Sequence, residues 1–310
     1  MKFALVFPGQ GSQSLGMMTA YGDSQVVRAT FDEASQALGR DLWQLVTDGP
    51  ADALNQTVNT QPLMLTAGVA VYRLWLDKGG PQPAMVAGHS LGEYAALVAA
   101  GVLQLADAVP LVELRAKAMQ EAVPAGEGAM AAILGLDAAT VIAACDESAQ
   151  GQVVQAVNFN APEQTVIAGH KAAVERAAEA CKGRGAKRAV MLPVSAPFHC
   201  ALMQPAAEKL KVRLAQLTLA APQIAVVNNV DVATPGDPAA IKDALGRQAA
   251  APVRWVETMQ AMQAAGVTHI YESGPGKVLA GLVKRCADGV VGGAMADLAG
   301  VEAALAAVRG

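Results

Sequence analysis

The stretch Pro83-Ala84-Met85-Val86-Ala87-Gly88-His89-Ser90-Leu91-Gly92-Glu93-Tyr94 decides how this chain is read. Residues 83–87 form a short apolar run suited to a buried strand, and residues 93–100 read as helix. Between them, Gly88-His89-Ser90-Leu91-Gly92 fits the pattern GxSxG. A serine between two glycines, after a strand and before a helix, is held on a tight turn with its hydroxyl projecting from the sheet edge. The helix that follows aims its first N–H groups and the positive end of its dipole at the same point, which suits a developing oxyanion. Ser90 is therefore the candidate nucleophile.

Working outward, residues 2–7 read as a first strand that stops at Pro8-Gly9-Gln10-Gly11. Thr60 is a plausible N-cap of a long helix with Pro62 in its first turn, ended by Gly79-Gly80. Asp107 can cap a helix over 108–122, in which Pro110 is tolerated in the first turn. After Pro124-Ala125-Gly126 the pattern changes. Strand 129–134, helix 138–148, strand 153–159, the turn Asn160-Ala161-Pro162-Glu163, strand 164–168, helix 171–182 and strand 187–192 give the order βαββαβ. That is the split order of a ferredoxin-like module. Strands and helices then alternate: helix 201–217, strand 224–228, helices 238–248 and 253–265, strand 268–272 and helix 277–287. Such alternation implies a mainly parallel sheet covered on both faces. The expected fold class is α/β: a discontinuous body of residues 1–125 and 195–310, with residues 126–194 as an inserted ferredoxin-like subdomain.

Composition narrows the function. The chain has 310 residues, 53% of them hydrophobic and 16% charged, enough for a full core and unlike a disordered chain. A net charge of −4 and 4% aromatic residues argue against nucleic acid as a partner. No apolar run reaches the roughly 18 residues of a membrane span, and the apolar start is too short for a signal-peptide core, so a cytoplasmic protein with no membrane partner is expected. Cys145, Cys181, Cys200 and Cys286 form no CxxC pair, and Cys145 and Cys181 read as small buried apolar residues. His89, His170, His199 and His269 show no HxxxH or HExxH spacing, so no metal is expected.

A serine nucleophile needs a base. His199, in Ser195-Ala196-Pro197-Phe198-His199-Cys200, follows a strand and a Pro-stiffened loop and precedes a helix, a place that can face the nucleophile turn. His89 adjoins Ser90 and is badly placed to aim back at it, and Cys200 adjoins His199 and is discounted for the same reason. No local motif supplies an acidic third member; a backbone carbonyl or a side-chain amide can orient the imidazole instead. A hydrolase would use Ser90 and His199 equally well. A dinucleotide-binding reading fails because Ser14 stands at the last position of GxGxxG, and Gly274-Pro275-Gly276-Lys277 lacks P-loop spacing. A non-catalytic carrier-binding protein would have no need of Ser90.

The residues also resemble the bacterial malonyl-CoA:acyl carrier protein transacylases. The resemblance runs through Phe7-Pro8-Gly9-Gln10-Gly11-Ser12-Gln13, Thr60-Gln61-Pro62, Gly88 to Tyr94, Arg115, Glu127-Gly128-Ala129-Met130, Val157-Asn158-Phe159-Asn160, Pro197-Phe198-His199, Val227-Asn228-Asn229-Val230, Gln248 and Gly274-Pro275-Gly276-Lys277-Val278-Leu279. It implies an α/β-hydrolase-like body and a malonyl transfer through a malonyl-serine, from coenzyme A to the phosphopantetheine thiol of acyl carrier protein, in fatty acid synthesis or for a polyketide synthase. No permanently bound cofactor is implied. It also implies roles: Ser90 as nucleophile, His199 as base and then acid, the Gln10 and Leu91 N–H groups as oxyanion hole, the Gln248 carbonyl as the group orienting His199, and Arg115 as the partner of the substrate carboxylate. Phe198 resembles the residue of malonyl-selective members. Periodicity alone reads Arg115 as a snorkelling helix arginine. Gln61 and Asn160 either face the cleft or satisfy loop backbone, and Met119 either lines the acyl pocket or belongs to the core. Two basic clusters, Lys182, Arg184, Lys187 and Arg188, and Lys277, Lys284 and Arg285, are either solvated faces or attract an acidic carrier.

Overall fold

A computed structural model describes residues 1–194 and 196–310; Ser195 lies outside the described residues. Among the described residues the strands are β1 (Phe3–Phe7), β2 (Met85–Gly88), β3 (Gly128–Leu134), β4 (Val154–Ala161), β5 (Gln164–His170), β6 (Arg188–Met191), β7 (Ala225–Val227), β8 (His269–Glu272) and β9 (Val291–Ala294). They form two sheets. The first, in the order β7-β2-β1-β8-β9, is parallel throughout. Every residue of β1 is buried, as expected where helices cover both faces. The second sheet, β4-β5-β3-β6, is antiparallel, which is the ferredoxin-like arrangement expected from the strand and helix order. The first sheet thus takes strands from both sides of the segment that makes the second. The second sheet meets the rest of the body where Phe159 N donates to the Val253 carbonyl and Val253 N to the Val157 carbonyl.

The carboxyl ends of β1, β2 and β7 lie side by side, and the loops that leave them build one crevice, the usual place for a site in an open α/β sheet. Helix Gly92–Ala99 starts directly on this edge. A Cβ added to Gly88 would lie 1.8 Å from the carbonyl carbon of Gly92, and one on Gly92 would lie 2.1 Å from the Phe7 carbonyl oxygen. Only glycine lets the helix start so close to the strand ends. Ser90 itself is held at φ 52°, the left-handed strain expected at such a turn.

Several elements differ from the sequence reading. The long helix spans Thr57–Asp77, so Thr60 lies inside it and is not its N-cap; the Thr60 hydroxyl bonds the carbonyls of Leu54 and Gln56 instead. Pro62 is tolerated past the first turn because the Val58 carbonyl, which it leaves without a backbone donor, accepts from Arg40 Nη2 at 3.3 Å. The next helix spans Leu105–Glu121 with Gln104 at its N-cap, so Asp107 sits in the first turn, where its charge suits the dipole without capping. β4 continues to Ala161, which shortens the expected four-residue turn to Pro162-Glu163. Helix Gln25–Leu38, with Ser24 as N-cap and Gly39 in the left-handed region after it, and the terminal β9 and helix Leu298–Arg309 are additions.

Gly88→Ala and Gly92→Ala should each destabilise the protein by about 3 kcal/mol or more, since backbone rather than a movable side chain occupies the Cβ position. Urea unfolding of each variant checks this against Gly281→Ala, where a Cβ meets open space.

Candidate active site

The turn presents Ser90 Oγ 2.6 Å from His199 Nε2. His199 comes from the loop after β6 and is itself at φ 65°. Its Nδ1 lies 2.9 Å from the Gln248 carbonyl oxygen at the end of helix Pro238–Gln248. That oxygen can only accept, so Nδ1 carries the proton and Nε2 is free to accept from the serine hydroxyl. Burial, followed by the neighbouring Arg115 charge, pushes the His199 pKa down to about 3, so the ring is neutral near pH 7.

Arg115 is no snorkeller. It is 1% exposed, on helix Leu105–Glu121, and its guanidinium points to the serine. Nη2 donates to Ser90 Oγ at 3.1 Å and to Gln248 Oε1 at 3.0 Å, and Nη1 donates to Gln61 Oε1 at 2.9 Å. The Tyr94 ring lies 5.4 Å from the guanidinium carbon. Among the described residues no carboxylate makes an ion pair with it. The ligands of this buried cation are neutral dipoles, and burial lowers its pKa.

Ser90, His199 and Arg115 line a cavity of about 120 Å³ together with Gln10, Gln61, Leu91, Met119 and Phe198. Gly9 lets Gln10 reach it: a Cβ there would lie 2.6 Å from the His89 carbonyl oxygen. Among the described residues the Leu91 and Gln10 N–H groups have no backbone acceptor. Gln61 faces the cavity from a helix, holding Arg115, with its Nε2 3.9 Å from Met119 Sδ. Phe198 packs against both the core of the body and the inner face of the second sheet. Gln248 does not line the cavity; it stands behind His199 and Arg115.

Asn160 departs from the expectation of a cleft-lining residue. It is absent from the cavity wall, and its Oδ1 lies 2.7 Å from His89 Nε2. Two positions along an extended strand are almost 7 Å, so Asn158 reaches the cavity and Asn160 overshoots it. The sequence reading also gave no role to Glu93 or Asn229. Ser90 N donates to Asn229 Oδ1 at 2.8 Å, Asn229 Nδ2 to the Gly88 carbonyl at 2.7 Å, and Asn229 N to Glu93 Oε2 at 2.9 Å. Burial raises the Glu93 pKa to about 7 against the pull of Asn229 N and the Gln248 side chain. The signal for both lay in polar residues, next to the turn and after β7, in otherwise apolar surroundings.

Elsewhere the four cysteines are buried. Among the described residues no group of His, Cys, Asp or Glu is arranged to hold a metal ion, and no helix is long and apolar enough to cross a membrane. Of the basic clusters, Lys182 pairs with Glu179, Arg184 with Glu147, and Arg285 donates to Gln164.

The chain was compared with known proteins. The acyl transferase domain model matches residues 4–301. The malonyl CoA-acyl carrier protein transacylase of Salmonella typhimurium is 59% identical over 305 residues, covering 98% of this chain and 99% of that protein. Its Bacillus subtilis namesake is 47% identical over 92% of this chain and 90% of its own length. The crystal structure of an acyl-carrier-protein S-malonyltransferase from Burkholderia pseudomallei superimposes with TM-score 0.97 at 62% identity, covering 99% of this chain and 100% of that one. A malonyl-transacylase solved in complex with a type II PKS acyl-carrier protein gives TM-score 0.98 at 54% identity, covering 99% and 100%. The chain therefore belongs to the acyl transferase family and, within it, to the malonyl CoA-acyl carrier protein transacylases.

Proposed function

We propose that this chain moves a malonyl group from coenzyme A to the phosphopantetheine thiol of acyl carrier protein, that Ser90 carries the group between them, and that the reaction serves fatty acid synthesis in the cytoplasm. The observation that carries the assignment of roles is the buried Arg115, which lies 3.1 Å from the nucleophilic oxygen and, among the described residues, pairs with no carboxylate. An anionic acyl group supplies what it lacks, and a guanidinium can hold a carboxylate by two parallel hydrogen bonds.

In the first half-reaction Ser90 Oγ attacks the thioester carbonyl while its proton passes to His199 Nε2. The Leu91 and Gln10 N–H groups receive the charge that forms on the carbonyl oxygen; one such donor is typically worth about 2.7–4 kcal/mol. The C–S bond then breaks, His199 returns the proton to the departing sulfur, and malonyl-Ser90 remains. In the second, His199 takes the proton of the carrier's thiol, the sulfur attacks the ester carbonyl, the bond from that carbon to Ser90 Oγ breaks, and the proton returns to Ser90 Oγ. Nucleophile, base and oxyanion donors are all protein groups, so the chemistry calls for no resident cofactor. A groove of about 640 Å³, which shares Gln10 and Val194 with the cavity and passes Gln56, Thr57 and Lys117, is a path for the pantetheine arm of either substrate.

The imidazolium formed in passing is disfavoured by burial first and Arg115 second. A bound malonyl carboxylate neutralises the second cause. The charge that Arg115 selects thus eases the proton transfer next to it, which favours malonyl over uncharged acyl groups in rate as well as in binding.

Intact-protein mass spectrometry after brief mixing with malonyl-CoA should show a malonyl adduct that maps to Ser90 and is absent from Ser90→Ala; an adduct that persists in that variant rejects the assignment. Arg115→Ala should lower kcat/KM for malonyl-CoA about 100-fold or more, with a much smaller effect on acetyl-CoA; equal losses for the two substrates contradict the carboxylate role. In histidine-labelled protein, the His199 ring resonances should stay those of a neutral imidazole from about pH 8 to about pH 5, whereas an ordinary histidine titrates near 6.5. Because Arg115→Ala removes a positive neighbour, it should move the His199 midpoint upward.

A further inference from the structure

We propose that Glu93 is a positioning residue that holds both halves of the site through Gln248. This rests on the roles of Ser90, His199 and Arg115 proposed above. Besides the nucleophile Ser90, Gln248 bonds both His199 and Arg115: its backbone carbonyl accepts from His199 Nδ1 at 2.9 Å, and its side-chain Oε1 accepts from Arg115 Nη2 at 3.0 Å. Whatever fixes Gln248 therefore fixes the base and the anion-binding cation together.

The orientation of the Gln248 amide follows from its neighbours. Nε2 lies 3.0 Å from the Ser90 carbonyl oxygen, 3.0 Å from Glu93 Oε2 and 3.3 Å from Asn229 Oδ1. The first is a pure acceptor, as is the second when ionised, so the amide nitrogen faces this side and its oxygen faces the arginine. Of the three, Glu93 alone can ionise, and in its ionised form the bond is charge-assisted, about twice as strong as a neutral one. Its Oε2 also accepts from Asn229 N at 2.9 Å, and Asn229 in turn holds Ser90 N and the Gly88 carbonyl. One carboxylate thus ties helix Gly92–Ala99, the loop after β7 and the end of helix Pro238–Gln248 to the nucleophile turn.

Glu93 touches no substrate. It is 2% exposed, does not line the catalytic cavity, and instead lines a separate small pocket with Leu97, Val226 and Asn228. A purely structural role in the first turn of a helix would be met by any group that suits the dipole. A positioning role requires an acceptor at Oε2, because without it the amide is held only by the Ser90 carbonyl and Asn229 Oδ1, and Asn229 N loses its own acceptor.

The test is the transfer kinetics of Glu93→Ala and Glu93→Gln with malonyl-CoA and acetyl-CoA, beside Ser90→Ala and Arg115→Ala. Glu93→Ala should lose about 10- to 100-fold in kcat for malonyl and about tenfold in malonyl-over-acetyl preference as Arg115 is released. Glu93→Gln keeps an acceptor oxygen of the same reach and should fall between the alanine variant and the parent in both. A Glu93→Ala protein that melts earlier but keeps kcat and the preference overturns the proposal. If Glu93→Ala does not fold, Glu93→Gln decides: a drop of about threefold or more in kcat with reduced preference supports it, and parental values in both overturn it. Transfer by Ser90→Ala, or an unchanged preference in Arg115→Ala, would overturn the assignment of roles itself and the Glu93 proposal with it. Parental kinetics in the Glu93 variants alone would remove only the latter.

Discussion

Everything in the site depends on how closely helix Gly92–Ala99 approaches the ends of β1 and β2. With no Cβ at Gly88 or Gly92, the helix start presses on the Phe7 carbonyl and turns back at Ser90 under left-handed strain. That contact aims the serine hydroxyl out of the sheet and puts Leu91 on the cavity wall. It also brings Gly9 against the His89 carbonyl, which places Gln10 on the same wall. The nucleophile and the two oxyanion donors proposed above are thus set by backbone packing, before any side-chain hydrogen bond is counted. Preorganised dipoles of this kind need little reorganisation when charge develops.

The second constraint is electrostatic. A buried guanidinium with a resident carboxylate would be more stable and of little use, since a substrate anion would have to displace its partner. Here Gln61, Gln248 and Ser90 offer neutral oxygens, and the nearest buried carboxylate, Glu93, is reached through the Gln248 amide. The cation is held in place yet stays short of negative charge. Breaking a buried ion pair typically costs about 3–5 kcal/mol; under the role proposed for Arg115, a site that forms none keeps that attraction for its ligand.

How much of this the sequence announced depends on how local each signal is. Ser90 is legible because its turn needs glycines at fixed spacing between a strand and a helix, all within a dozen residues. The βαββαβ order is legible for the same reason, as each element has its own periodicity. Helix Gln25–Leu38 has signals just as local, with a serine cap, a closing Gly39 and buried Val27, Thr30, Phe31 and Ala34 at helical spacing. Arg115 is different: its helix periodicity is that of any half-buried arginine, and only the fold brings Gln61 and Gln248 to it from 54 and 133 positions away. Gln248 acts partly through a backbone carbonyl, which no residue type advertises. Asn160 shows the limit of a motif read as a block, since a strand carries Asn158 to the cavity and its neighbour but one beyond it.

A dyad with so depressed a histidine looks at first poorly suited to general base catalysis, since a base that resists protonation pulls weakly on the serine proton. The resolution lies in when each charge is present. In the free site His199 faces one uncompensated cation, Arg115, in a low-dielectric setting where a nearby charge acts strongly. In the proposed reaction the diacid brings its carboxylate to that cation, and the attack then places a second negative charge at the oxyanion donors. Both arrive before or together with the proton on Nε2, so the imidazolium forms in surroundings that have gained negative charge. An uncharged acyl group brings only the second. Discrimination therefore operates in the transition state as well as in binding, which is the condition for a selective contact to raise kcat.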